Sequence, residues 1–274
     1  DEIIKVHVHT EQPGNALSKG LEFGQLLTVK VENMKEQHKN VKSTKKKAEK
    51  EKFVPAEPEN DFGFVAVAAG NGLKDLFKDL GCDNVVSGGQ SMNPSTDDIY
   101  EAIMATPAKN VLVLPNNKNI ILAAEQANEL TNKNLVVIST RSVPEGISAA
   151  IAFNPDGTVE ENIDAMNDAI KNVKSGSVTY AVRDTHVDGF DLTTGEIIGL
   201  DDKAILAKGK LVSQTTEDLV GKMMDDNIMT ITLFYGEDIK EEEAVALQEQ
   251  LANKFPECEV TVAYGGQPIY YYLI

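Results

Sequence analysis

The chain has 274 residues with 43 acidic and 26 basic side chains, a formal net charge of −17 at pH 7. That balance repels phosphate-rich surfaces and argues against a general nucleic-acid or anionic-membrane binder. Its apolar share of 42% suits a folded protein with a sizeable core, and no run of 18 apolar residues is present to span a bilayer.

The chain opens without Met, already in a strand pattern, and shows no basic-then-apolar leader, so it reads as part of a longer folded protein. Residues 1 to 34 predict strand, helix, strand: Ile3 to His9, a helix entered at Pro13, then Leu26 to Glu32. Such a piece buries too little to stand alone and is expected to pack on an upstream part or on a second copy. From Lys35 to Lys52 eight Lys meet three Glu with few apolar residues, continued by Pro55 and Pro58. This stretch reads as a flexible linker.

From Phe62 the grammar is βαβα. Strand Phe62 to Ala69 is followed by a helix from Asn71 that ends at Gly81, strand Asn84 to Val86 and helix Thr96 to Met104. Strand Val111 to Leu114, helix Asn119 to Leu130, strand Leu135 to Ser139 and helix Val143 to Ala152 come next. Strands apolar on both faces imply a parallel sheet covered by helices on each side. After Asn154-Pro155-Asp156-Gly157 a second lobe is expected to begin. Its predicted elements are helix Val159 to Val173, strand Val178 to Arg183 and hairpins near Asp188-Gly189, Thr194-Gly195 and Asp201-Asp202. Helix Thr216 to Met224, strand Met229 to Tyr235, helix Glu241 to Phe255, strand Glu259 to Ala263 and strand Ile269 to Leu273 complete it. The fold class is α/β: a two-lobed parallel-sheet region over 61–274, divided near 155/156, preceded by the strand-helix-strand piece 1–34 and a Lys-rich linker 35–60. A ligand-sized cleft is expected between the lobes.

Three loops follow apolar runs, where open α/β sheets receive ligands or partners. The first contains Gly88, Gly89, Gln90, Ser91, Asn93 and Ser95, with Ser95 predicted as a helix N-cap answered by Asp98. Helix-start amides there suit a carboxylate or phosphate, and a well-capped turn is the plainer reading. The second holds Asn116, Asn117 and Lys118; the third is Gly265, Gly266, Gln267 and Pro268. His7 and His9 project from one face of a strand and are candidates to share a metal ion. Cys82 and Cys258 stand far apart in no metal or redox spacing, which fits buried thiols in a reduced intracellular compartment. No catalytic set is complete: there is no nucleophile elbow, His186 has no serine or cysteine partner at a telling distance, and Ala69-Gly70-Asn71-Gly72 lacks the rest of a nucleotide fingerprint.

The segments VHVHTEQPGNAL, AVAAGNGLKDLFKDLG, VVSGGQSMNPSTDDI, VLPNNKNI, TRSVPEGISA, KSGSVTYAVRDT and GGQPIYYYLI, in this order along the whole chain, resemble the middle and C-terminal parts of the fatty acid kinase FakA family, also described as dihydroxyacetone-kinase-like. The resemblance implies a bacterial, cytoplasmic, ATP-dependent kinase that phosphorylates a fatty acid carboxylate presented by a separate fatty-acid-binding protein. ATP and Mg would belong to an upstream kinase domain, and residues 1–34 to a middle domain that forms a homodimer. The C-terminal region would take the DegV-like fold and bind the acyl-carrying partner. The GGQSMNPS loop is similar to the Thr-Ser-Gln-Pro-Ser loop that holds a fatty acid carboxylate in DegV-like proteins. It departs from it where Asn93 precedes Pro94-Ser95, where Asn116-Asn117 replaces a Ser-Gly pair, and where Gly265-Gly266-Gln267-Pro268 replaces a His/Gly/Pro signature. His7 and His9 match a His-x-His pair that would bind zinc with an upstream cysteine. Two functions follow as expectations: a non-catalytic docking module for the acyl-binding partner, or a fatty acid or acyl-phosphate site of its own with Ser91, Ser95 and Asn117 near the headgroup.

Overall fold

A computed structural model describes residues 12–25, 29, 53–87, 93–128 and 130–274. The chain divides into two compact units, residues 1–50 and 51–274. In the first, helix α1 (Pro13–Leu21) starts with proline in its first turn, as the sequence predicts. The expected strand Ile3 to His9, the linker run Lys35 to Lys52 and most of the expected strand Leu26 to Glu32 lie outside the described residues.

The second unit opens with β1 (Asn60–Val67), α2 (Asn71–Asp79), β2 (Asn84–Val86), α3 (Thr96–Ala105), β3 (Ala108–Leu114), α4 (Lys118–Asn128), β4 (Asn134–Val137), α5 (Val143–Ile151) and α6 (Val159–Lys171). The four strands form one parallel sheet in the order β2-β1-β3-β4. Strand alternation divides its side chains between two cores. Phe64, Ala66, Ala68, Leu112 and Leu114 join Leu73 and Phe77 of α2 and Met166 of α6 on one face. Val65, Val67, Val111 and Val113 meet Ile99 and Ile103 of α3 and Ile120 and Ala124 of α4 on the other. The expected doubly covered parallel sheet is therefore present, with strand and helix limits close to those read from the sequence.

The remaining elements are β5 (Gly176–Tyr180), β6 (Thr185–Val187), β7 (Phe190–Leu192), β8 (Ile197–Asp201), β9 (Ile205–Gly209), α7 (Val212–Met223), β10 (Thr230–Tyr235), α8 (Glu241–Lys254), β11 (Glu259–Tyr264) and β12 (Tyr272–Leu273). They build a six-stranded sheet, β11-β10-β12-β5-β8-β9, and a separate β6-β7 hairpin. Here the structure differs from the sequence reading in three ways. Only β10 and β11 pair in parallel; the other neighbours are antiparallel, because hairpins rather than helical crossovers join β5, β8 and β9. Helix α6, read from sequence as the start of the second lobe, packs through Ile163, Met166 and Ile170 into the first lobe's core. The closing strand begins at Tyr272 rather than Ile269, since Ile269 has φ 73° and cannot continue a strand.

Helices α7 and α8 cover one face of the second sheet through Leu219, Val220, Leu247 and Leu251. Phe234 and Leu273, paired across β10 and β12, join the first lobe's core instead. The lobes thus share apolar packing where a cleft was expected. Two surface depressions, of about 420 and 330 Å³, lie on the outer face of α8 and beside the amino end of β1.

Candidate functional site

The loops singled out from sequence gather at the carboxyl end of the parallel sheet, where strand order places β2 and β3 on opposite sides of β1. Gly88, Gly89, Gln90 and Ser91 lie outside the described residues, as do His7 and His9. Asn93, Ser95, Asn116, Asn117, Lys118, Gly265, Gly266 and Gln267 are all placed.

Most of these placed groups serve the fold. Ser95 is the α3 N-cap: its Oγ accepts the Asp98 N–H at 3.1 Å, and Asp98 Oδ2 accepts the Ser95 N–H at 3.1 Å. That is the expected reciprocal cap. Asn117 caps α4 by accepting the Asn119 N–H at 2.9 Å and donates through Nδ2 to Asn93 Oδ1 at 3.2 Å. The first two loops are thereby joined. Lys118 is exposed at the start of α4.

Asn116 is buried and has φ 55°, left-handed backbone that asparagine tolerates better than most residues. Its Nδ2 donates to the Val67 carbonyl at 2.9 Å, its Oδ1 accepts from Thr140 Oγ1 at 2.9 Å, and its N–H donates to that same hydroxyl at 2.9 Å. Gly146 of α5 gives it room, because a Cβ there would overlap the Asn116 amide. Asn116 therefore ties β1, the β4–α5 loop and α5 together. Thr140 and Gly146 lie in the TRSVPEGISA segment, but no local pattern there points to Asn116, 24 and 30 residues away in sequence.

The third loop closes on the first lobe. Leu73 N–H, at the start of α2, donates to the Gly265 carbonyl at 3.1 Å. A Cβ at Gly70 would overlap Gly265 and Gln267, and one at Gly72 would overlap the Tyr264 carbonyl. The Gly-x-Gly fragment thus admits the second lobe's backbone. Gln267 is fully buried; Nε2 donates to the Phe234 carbonyl at 2.8 Å, while Oε1 has no hydrogen-bond partner. One of the free amides at the α2 N-terminus is thus taken by the chain itself.

Nucleophile and metal chemistry find little purchase among the described residues. Burial pushes the Cys82 thiol up to about 12, so it stays protonated and unreactive at neutral pH. His186 Nδ1 pairs with Asp191 at 2.7 Å on the exposed β6-β7 hairpin. Burial raises Glu145 above the usual carboxylate range, and its Oε2 accepts the Arg141 N–H at 2.6 Å beside the Ser142 cap of α5. No group of three His, Cys, Asp or Glu side chains among the described residues is placed to hold a metal ion, and no described helix is long and apolar enough to cross a membrane.

This architecture is that of the DegV proteins. The DegV family protein Cg2579 from Corynebacterium glutamicum superposes with a TM-score of 0.58 at 16% identity, covering 80% of this chain and 96% of that one. The Streptococcus pneumoniae fatty acid kinase (Fak) B3 protein loaded with linoleic acid does so with a TM-score of 0.50 at 11% identity, covering 75% and 92%. Residues 63–274 match the C-terminal domain of the FakA-like fatty acid kinase family, and residues 1–41 match that family's middle domain. The chain belongs to the FakA-like fatty acid kinase family. Protein YloV of Bacillus subtilis is 41% identical over 274 residues, which are 100% of this chain and 49% of YloV. The chain spans about half the length of the curated relatives it matches.

Proposed function

We propose that residues 63–274 form a non-catalytic docking module that holds a DegV-like fatty-acid-binding protein, so that a kinase domain elsewhere in the full-length protein phosphorylates the fatty acid carboxylate. One observation carries this reading. On a fold shared with a fatty-acid-loaded protein, two loops where this chain departs from the carboxylate-holding pattern are tied to the chain itself: Asn116 to Val67 and Thr140, the Gly265 carbonyl to Leu73, and Gln267 Nε2 to the Phe234 carbonyl. A lipid-carrier scaffold with those groups spent is suited to recognising a relative of itself.

In this account ATP and Mg act at the kinase domain, the middle-domain residues contribute to a homodimer, and His7 and His9 complete a zinc site with an upstream cysteine. The Lys-rich run 35–52 tethers the docking module, which raises the carrier's effective concentration near the kinase domain. The test is a pulldown of the fatty-acid-binding protein by this chain. Retention at micromolar concentration is expected; failure to retain it contradicts the docking role.

A further inference from the structure

Four neighbouring strands of the six-stranded sheet present a tyrosine at the same end. β12 is antiparallel to both β5 and β10, and β11 is parallel to β10, so β5, β10 and β11 all finish where β12 starts. In spatial order the end residues are Tyr264 of β11, Tyr235 of β10, Tyr271 just before β12, and Tyr180 of β5. At the usual strand spacing the row is roughly 15 Å long. The Tyr235 and Tyr264 rings lie 5.3 Å apart, and those of Tyr180 and Tyr271 6.2 Å apart.

The two outer tyrosines of the row are exposed, while Tyr235 and Tyr271 between them are half-buried against the core of the second sheet. Tyr264 is 49% exposed and Tyr180 37%, and beside them Ile269 is 38% and Val182 76% exposed. Ile269 shows an apolar side chain to solvent while held at φ 73°, a backbone region that β-branched residues rarely enter. Its carbonyl accepts the Thr179 hydroxyl at 2.8 Å, which fixes the loop in that shape.

An acidic border adjoins the row. Glu237, Asp238, Glu241 and Glu242 are exposed between the end of β10 and the first turn of α8, with Lys240 as the one cation in that stretch. Glu237 and Asp238 follow Tyr235 by two and three residues, and the Tyr235 and Tyr271 phenols are raised by burial first and then by Glu241 and Asp238 respectively. Glu241 and Glu242 also line the 420 Å³ depression with Val245, Ala246 and Glu249.

We propose that the tyrosine row and its acidic border are the surface by which the module grips its partner protein, and that the partner meets it with an apolar centre edged by lysine or arginine. The assignment rests on the docking role proposed above. Tyrosines clustered with a charged rim match the composition of protein interfaces. A second copy of this chain would set like charges against each other, and stacked nucleobases would bring phosphates against the same carboxylates. A basic-edged protein satisfies both features.

The test is calorimetric titration of the full chain with the fatty-acid-binding protein at low and high salt. It compares Tyr264→Ser, Tyr180→Ser, the paired reversal Asp238→Lys with Glu242→Lys, and the distant control Glu101→Lys on α3. Each tyrosine variant is expected to weaken binding by roughly tenfold or more. The paired reversal should weaken it and flatten its salt dependence, with the control unchanged. Circular dichroism confirms folding, and the exposed charge reversals decide the matter if a tyrosine variant unfolds. Undiminished binding by all test variants overturns the face while leaving the docking role standing; no binding by the unaltered chain overturns the docking role and the face with it. A change in the chain's own oligomeric state, read by sedimentation, would assign the row to contacts between copies and overturn the proposal.

Discussion

Asn116 illustrates how a side chain that looks available in sequence is consumed by the fold. Polar, in a loop after a buried strand, it invites a ligand role; in place, its amide and N–H are all engaged with Val67 and Thr140. Asn116→Ala should cost roughly 2–4 kcal/mol, because it strands buried polar groups and keeps the left-handed backbone. Asn116→Gly relieves the backbone alone and should recover about 1 kcal/mol of that loss. Urea denaturation of the two variants measures both. Cys82 offers a second reading at this scale. Its thiol is raised above the unfolded value by burial, so its contribution to stability is full below about pH 9 and fades as pH climbs toward 12. Native protein treated with an alkylating reagent at pH 8 should leave Cys82 unmodified until denaturant is added. Rapid native labelling of Cys82 would contradict its burial.

At the scale of elements, local pattern carried far. The capped start of α3, the proline opening α1 and the apolar runs of β1 and β3 are legible because each depends on residues adjacent in sequence. What stayed hidden depends on partners far along the chain. Nothing near Gly70 and Gly72 announces that Tyr264 to Gln267 will lie against them, so they read as a weak nucleotide fragment. In the mixed second sheet the hairpin turns near Asp188-Gly189 and Asp201-Asp202 are legible, but the insertion of β12 between β10 and β5 is not, since apolar runs reveal strands but not distant neighbours. Gly72→Ala should destabilise by roughly 3 kcal/mol, because the new methyl meets a backbone carbonyl rather than a yielding side chain. By contrast Gly221→Ala on α7, where a Cβ meets nothing within 4 Å, should stabilise by up to about 1 kcal/mol. Thermal melts of the pair separate close backbone approach from general helix propensity.

For residues 53–274 as a whole, packing turns a two-lobed plan into one body with a shared core. Phe234 and Leu273 leave their own sheet's main cluster to fill the first lobe, and the Gly265 carbonyl caps α2 across the same junction. The sequence shows two lobes and suggests a cleft; the side chains that close it come from strands whose pairing the sequence does not announce. Likewise the tyrosines are visible one by one at the ends of apolar runs, yet only sheet order reveals them as a row. The central claim is that this scaffold holds a lipid carrier and carries no lipid itself. Native mass spectrometry of the chain mixed with its acyl-loaded fatty-acid-binding partner tests that claim most directly. The expected spectrum shows the chain alone free of acyl ligand and a complex whose single fatty acid departs with the partner. A spectrum with the acyl chain on this protein and no complex would contradict the account.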